Sequence, residues 1–389
     1  MSGKIYVRLY LYFYYDFPRF YIMTKRALVI SGIAWDATYQ RHQLNANILA
    51  ELGYQVDFLQ SCKTSRIGFS RIFYFLLLKF MKAFGYNKSY AMHNLKNSNV
   101  KVISSSLLPP GGKLNYLCNR FIFRFLLSHK LHKKYDLIFY YVPIDIVDFL
   151  ERNEETLVIY DCVRAFSQWG GYHECLYKNE KKLVSYADHI LCDSFYLKDI
   201  HLPSIANPNK IVQLIPPVEV KRNDFIVEHE RINKIGYFGS ISDHIDLEVF
   251  FLLIEKGYEI YYWGGDESHL PVEVRRMGYE ADQNVLLQQI VDTCDALIIP
   301  YKGKMNGVYP AKLSISLSSG LPVYCSSFYD SDKLLDIIYV YSSKNELLTM
   351  LSDFCPASHR TKQIATEDFL NRLDITSYTR VLKRFLGAS

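Results

Sequence analysis

The chain has few of the features that mark several common protein classes. Its eight cysteines include no CxxC pair, and several lie in apolar runs. This distribution is typical of reduced cysteines in a hydrophobic core. It predicts a cytoplasmic protein and excludes a small disulfide scaffold. Arginine-rich tails and low-complexity tracts are lacking too, and the net charge is only +5, so charge gives no argument for a nucleic-acid partner.

Long uninterrupted apolar runs are also lacking. The most aromatic stretch, "KIYVRLYLYFYYDFPRFYI", is interrupted by Arg8, Asp16, Pro18 and Arg19, which excludes a membrane span or a signal segment there. The following segment, "MTKRALVISGIAWD", reads as the start of a folded domain. We therefore expect residues 1–22 to be an N-terminal extension outside the fold.

What the sequence has in abundance is short apolar strands that alternate with amphipathic stretches. From residue 23 the strands are "ALVIS", "QVDFL", "VKVIS", "LIFYY", "LVIYD", "HILCD" and "IVQLIP", and the pattern restarts at "KIGYFGS" after a charged stretch. This rhythm predicts parallel sheets with helical crossovers. We expect an α/β protein of two Rossmann-like halves, with a ligand cleft between them. The halves are an N-terminal domain at 23–218 and a C-terminal domain at 234–372, joined by a linker at 219–233.

The segment "YPAKLSISLSSGLPV" at 309–323 predicts a short helix that Pro310 begins and Gly320 ends. Lys312, Ser316 and Ser319 then share one face. A cation at a helix start is unfavourable unless an anion is bound there, so a phosphate or diphosphate would fit. Gly239 and Ser240, which follow the strand "KIGYF", fit the same picture because a glycine lets backbone amides approach a phosphate. A solvated surface helix and an ordinary turn are the alternatives.

Seven segments, taken in order, carry a resemblance to a known family. They are "ISGIAWDATYQRHQLNANILAELGYQV", "LLPPGGKLNYLCNRFIFRFLL", "IYDCVRAFSQWGG", "EKKLVSYADHILCDSFYLKD", "IGYFGSISDHIDLEVF", "CDALIIPYKG" and the helix at 309–323. The chain resembles bacterial GT-B glycosyltransferases that build capsule, O-antigen and teichuronic-acid-type polysaccharides. The resemblance implies a GT-B fold and transfer of a sugar from a nucleotide-sugar donor to a lipid-linked glycan. It also implies retention of configuration, and a final helix at 373–389 that returns to the N-terminal domain.

The resemblance assigns the donor site to the C-terminal domain. Lys312 would neutralise the donor diphosphate, and the other donor-binding candidates are Gly239, Ser240, Tyr309, Ser314, Ser316 and Ser319. Where the family has a glutamate for the donor ribose, this chain has Ile315. A serine hydroxyl could replace part of that contact. We expect no metal and no cofactor besides the donor, since no convincing DxD loop is present.

The N-terminal domain would hold the acceptor. Asp161 and His42 are the candidate catalytic residues, either as general base or to orient the acceptor, while Trp35, Asp36 and Arg41 are candidates for binding it. Two basic, apolar segments, "FSRIFYFLLLKFMKAFGYNK" at 69–88 and "NRFIFRFLLSHKLHKK" at 119–134, could contact the cytoplasmic face of the inner membrane peripherally. They could equally be helices that cover the sheet. A non-catalytic nucleotide-binding scaffold and a nucleotide-sugar epimerase remain alternatives to the transferase.

Overall fold

The computed structural model describes residues 25–37, 39–65, 97–218, 230–265 and 269–387. The predicted extension at 1–22, the basic segment at 69–88 and most of the predicted linker lie outside the described residues. Within them the chain forms two parallel sheets, each flanked by helices.

The first sheet has seven parallel strands in the order β3-β2-β1-β4-β5-β6-β7. The strands are β1 (Arg26–Ile30), β2 (Gln55–Gln60), β3 (Val100–Ser104), β4 (Leu137–Tyr140), β5 (Leu157–Cys162), β6 (His189–Cys192) and β7 (Ile211–Gln213). Helices α1 (Arg41–Glu51), α2 (Gly112–Ile122) and α3 (Glu174–Tyr186) belong to this half. Central strands such as β1 are buried on both faces, which explains their nearly continuous apolar sequence.

The second sheet has six parallel strands in the order β10-β9-β8-β11-β12-β13. The strands are β8 (Lys234–Phe238), β9 (Glu259–Trp263), β10 (Arg275–Gly278), β11 (Ala296–Ile299), β12 (Val323–Ser326) and β13 (Tyr339–Tyr341). The helices of this half are α4 (Leu247–Glu255), α5 (Gln283–Thr293), α6 (Ala311–Leu317), α7 (Tyr329–Asp332), α8 (Lys344–Ser352) and α9 (Pro356–Asn371). The strand order reverses between β8 and β11, which is the switch point where open α/β sheets bind ligands.

The last helix, α10 (Ile375–Phe385), packs with the first sheet rather than with the second. Tyr378 and Leu382 are buried in one apolar cluster with Ala27 and Val29 of β1. The Tyr378 hydroxyl also donates a hydrogen bond to Asn45 Oδ1 in α1, at 2.9 Å. The end of the described chain is thus part of the core of the first half.

Two loops of the first half, one after β5 and one after β6, contact the second half directly. The Ala165 amide donates to the Gly307 carbonyl at 3.2 Å, and Trp169 Nε1 donates to the Asn306 carbonyl at 3.3 Å. Asp330 accepts hydrogen bonds from the Ser194 hydroxyl and from the amides of residues 195 and 196. These bonds hold the carboxyl end of β5 against the loop that follows β11, and the carboxyl end of β6 against α7, which follows β12.

Candidate functional site

Lys312 lies in the first turn of α6, where its ammonium reaches the end of β8. Its Nζ donates a hydrogen bond to the Tyr237 hydroxyl at 2.7 Å and lies 4.4 Å from the centre of the same ring. The Tyr301 ring is 5.7 Å away. Burial lowers the pKa of Lys312 to about 8. Among the described residues no carboxylate forms an ion pair with this ammonium, so its charge is compensated only by aromatic faces and one hydroxyl.

Gly239 closes this pocket from the side of β8. Its φ is +105°, in the left-handed region, and a Cβ placed here would lie 3.1 Å from Lys312 Nζ. A side chain at this position would therefore strain the backbone and crowd the ammonium. The following residue, Ser240, is exposed, and its carbonyl accepts a hydrogen bond from the Tyr237 hydroxyl at 3.0 Å. Gly239, Ser240 and Lys312 are thus brought together, as the predicted donor site requires.

The serines in and just after α6 are buried. Ser316 is 1% exposed, and among the described residues its hydroxyl has no hydrogen-bond partner. Ser319 lies beyond the last helical residue, and its hydroxyl donates to the Ser316 carbonyl, which ends the helix. Since α6 ends at Leu317, Lys312 and Ser316 share one helical face, whereas Ser319 lies outside the helix.

Tyr309 and Ser314 form a separate buried pair. Their hydroxyl oxygens are 2.9 Å apart, and both residues are about 5% exposed. This pair anchors the start of α6 to the loop before it. In this conformation the two hydroxyls contact each other and neither side chain lines open space.

A buried charged cluster lies at the carboxyl ends of β5 and β6. Arg41 Nη2 is 2.7 Å from Asp161 Oδ1, and Arg41 Nη1 is 3.1 Å from Asp193 Oδ2. Arg41 Nη2 also donates to the Leu214 carbonyl at 3.2 Å. Burial raises the pKa of Asp161 to about 7 against the opposing effect of Arg41, and it raises that of Asp193 as well. One guanidinium thus bridges two carboxylates.

This cluster changes the roles predicted for Asp161 and Arg41. Asp161 is completely buried and Arg41 is 6% exposed, so neither side chain reaches open space in this conformation. Asp161 forms an ion pair with Arg41, and this pair holds the start of α1 at the carboxyl end of β5. Direct contact with a substrate would require this cluster to open.

His42 and Trp35 are similarly part of the packed interior. The His42 ring stacks on Tyr141 with 3.7 Å between ring centres, and its Nδ1 is 2.9 Å from the Ser31 hydroxyl. Burial, followed by the charge of Arg41, lowers the pKa of His42 to about 3, so the ring stays neutral and is a weak base near pH 7. Trp35 is 4% exposed and meets Phe58 edge to face. Of the predicted acceptor residues only Asp36 is exposed.

Several residues near these sites were not predicted from the sequence. Tyr237 looks like an ordinary strand residue, yet its hydroxyl and ring hold Lys312. Asp193 directly follows β6, the position where ligand-binding residues collect in such sheets, and that rule could have identified it. Trp169 meets the His244 ring of the other half at 4.9 Å, a contact that sequence spacing cannot reveal.

Comparisons with known proteins agree with this architecture. No protein-family model matches the sequence, and no curated protein matches it. The structure is similar to sucrose-phosphate synthase from Thermosynechococcus elongatus, with a TM-score of 0.65 and 12% identity over 94% of this chain and all of that one. The chain has the GT-B fold. The two-domain α/β prediction is therefore confirmed.

Two further structures with this fold belong to proteins with a known ligand or process. HepE from Anabaena, solved with UDP and glucose, has a TM-score of 0.60 and 11% identity over 94% of this chain and all of that one. WaaG, a glycosyltransferase involved in lipopolysaccharide biosynthesis, has a TM-score of 0.58 and 10% identity over 93% of this chain and all of that one. At these identities the likeness establishes the fold alone.

Proposed function

We propose that the chain is a glycosyltransferase that moves a sugar from a nucleotide-sugar donor to a lipid-linked bacterial surface glycan, with retention and without a metal. The observation that carries this proposal is the Lys312 pocket. The Lys312 ammonium is partly desolvated and has no carboxylate partner among the described residues. It lies beside Gly239, whose backbone is in the left-handed region, at the switch point of the second sheet. An anionic group such as a diphosphate would supply the missing charge.

In this proposal each half has a separate task. Lys312 binds the donor diphosphate and stabilises the charge that grows on the leaving nucleoside diphosphate as the glycosidic bond breaks. Because the lowered pKa of about 3 makes buried His42 a weak base, and Asp161 is held by Arg41, neither is well placed as a general base. This favours the retaining route, in which a donor phosphate oxygen assists the acceptor hydroxyl. Asp36 is the exposed candidate for contact with the acceptor.

One observation favours a second candidate, a non-catalytic nucleotide-binding GT-B protein. The position where the family has a ribose-binding glutamate is Ile315, which packs against the apolar core of the second half. A site without that carboxylate could bind a nucleotide without turning it over. The nucleotide-sugar epimerase gains no specific support from the described contacts.

Donor turnover in the absence of acceptor separates these candidates. We expect the purified chain to hydrolyse one nucleotide sugar slowly, and to transfer the sugar once a suitable lipid-linked acceptor is added. A scaffold would bind the donor and return it unchanged, while an epimerase would return an isomeric sugar. Binding without any turnover across a panel of nucleotide sugars and acceptors would reject the transferase proposal.

The described basic segment supports peripheral contact with the membrane. No helix among the described residues is long and apolar enough to cross a bilayer. Five apolar side chains in and just after α2 are at least half exposed, namely Leu114, Leu117, Phe121, Phe125 and Leu126. Exposed Lys113, Arg120 and Arg124 lie among them, and no acidic residue occurs between 102 and 135. An apolar face surrounded by cations fits an anionic bilayer surface, where a lipid-linked acceptor would be found.

A further inference from the structure

Three ionisable side chains, far apart in sequence, converge inside the apolar core of the first half. Cys162 ends β5, Glu180 lies within α3, and His201 ends a π-helical turn at Leu197–His201. Their ligand atoms all lie within 4.8 Å of one another, and all three residues are buried. Cys162 is surrounded by members of one hydrophobic cluster that also contains Leu183 and Leu197.

The contacts within this group are poor as hydrogen bonds. The Tyr160 hydroxyl donates to Glu180 Oε1 at 2.8 Å, which is a good bond. The same oxygen is also 3.3 Å from His201 Nε2 and 3.8 Å from Cys162 Sγ. Three groups thus point at a single oxygen that has two lone pairs, and the contact with His201 is at the long end for a hydrogen bond. The Cys162 thiol has a closer acceptor in the Arg164 carbonyl, at 3.5 Å.

The separations are close to those between ligands on one metal ion, at 3.3 Å from Glu180 Oε1 to His201 Nε2 and 3.8 Å from the same oxygen to Cys162 Sγ. In a tetrahedral zinc site, with bonds of about 2.3 Å to sulfur and 2.0–2.1 Å to nitrogen or oxygen, neighbouring ligand atoms are about 3.3–3.6 Å apart. We propose that Cys162, Glu180 and His201 form a structural zinc site that is separate from the donor cleft. Thiolate, imidazole and carboxylate together are a donor set that favours zinc over magnesium or calcium.

The surroundings supply what such a site needs beyond its three ligands. Tyr160 holds Glu180 in place through the hydrogen bond to Oε1, as second-shell groups do at zinc sites. The π-helical turn that ends at His201 departs from regular helix, and such turns occur frequently at functional sites. Cys192 is paired in register with Cys162 on the neighbouring strand β6, but its thiol donates to the Val212 carbonyl, so the fourth ligand in this proposal is a water molecule. Because zinc is bound by thiolate, its binding would release the thiol proton to solvent.

Zinc at this position would brace the contact between the two halves. The turn that carries His201 follows the residues whose amides donate to Asp330 of the other half. Cys162 follows Asp161 on the same strand, and consecutive strand residues point to opposite faces of the sheet. The metal would therefore lie on the face of β5 opposite to the face that carries Asp161 and the Arg41 cluster.

Metal titration of the full chain, purified without a histidine tag and stripped with a chelator, tests the proposal. We expect one equivalent of Zn²⁺ to bind with sub-micromolar affinity in competition with a chromophoric chelator, and to raise the melting temperature by several degrees. Co²⁺ in place of Zn²⁺ should give a thiolate-to-cobalt absorption band. Cys162→Ser should abolish that band, and His201→Gln should weaken binding at least about a hundredfold.

Cys325→Ser is the matched control, since Cys325 is a buried strand cysteine in the other half, and it should bind one equivalent like the wild type. The wild-type cobalt spectrum keeps the test valid even if Cys162→Ser fails to fold. Failure of the stripped wild type to bind zinc, a cobalt complex without a thiolate band, or undiminished binding in His201→Gln would each overturn the proposal.

Discussion

Replacement of Lys312 by alanine tests the donor pocket most directly. If the ammonium meets a diphosphate, Lys312→Ala removes a charge-assisted contact worth about 1.5–3 kcal/mol, which is a loss of about ten- to a hundredfold in nucleoside-diphosphate affinity. The fold should not suffer. The lowered pKa of Lys312, from 10.5 to about 8, means that the protein disfavours its charged form relative to its neutral form by about 3 kcal/mol, so removal of this charge should not destabilise the fold.

Calorimetric titration with several nucleoside diphosphates measures the affinity, and differential scanning calorimetry measures the stability. Lys304→Ala is the matched control, because it removes an equal charge from an exposed residue of the loop after β11. We expect its affinity to stay within about twofold of the wild type, as for a screened surface cation. Wild-type affinity in Lys312→Ala would refute the diphosphate role. Equal losses in both variants would show that net charge, not the pocket, drives binding.

Three further predictions follow from the described contacts. Nucleoside-diphosphate affinity should fall as pH rises through about 8, because Lys312 loses its proton and with it the positive charge. Lys312→Arg stays charged, so its affinity should not change over this range. Titration calorimetry would contradict the prediction if the wild-type affinity stayed constant or rose. Asp330→Ala should lower the free energy of unfolding by about 1–3 kcal/mol, because one hydroxyl and two amides lose their acceptor, and an unchanged denaturant midpoint would contradict this. Joint replacement of Lys113, Arg120 and Arg124 by glutamine should weaken binding to anionic liposomes by about 1 kcal/mol per cation, measured by sedimentation, whereas Lys256→Gln in the other half should not. Undiminished sedimentation would favour the alternative that the segment packs against the protein instead.

The sequence alone determined the architecture, because that information is local. Apolar runs of four to six residues that alternate with amphipathic stretches predict parallel sheets with helical crossovers. The position of Lys312 was also readable, since Pro310 and the stop near Gly320 place it at the start of a helix after a strand. Gly239 directly follows β8, where a turn is expected.

Exposure was decided only by the tertiary structure. The loop after β1 is rich in groups that could bind a sugar, yet Trp35, Arg41 and His42 are buried, because α10 and the ends of β5 and β6 close over the same region. Residue type and spacing are the same whether a polar side chain faces a ligand or another side chain. The approach of Asp193 to Arg41, and of His201 to Cys162, depends on strand order and on a π-helical turn. Such long-range contacts leave no local pattern, so only the assembled fold determines them.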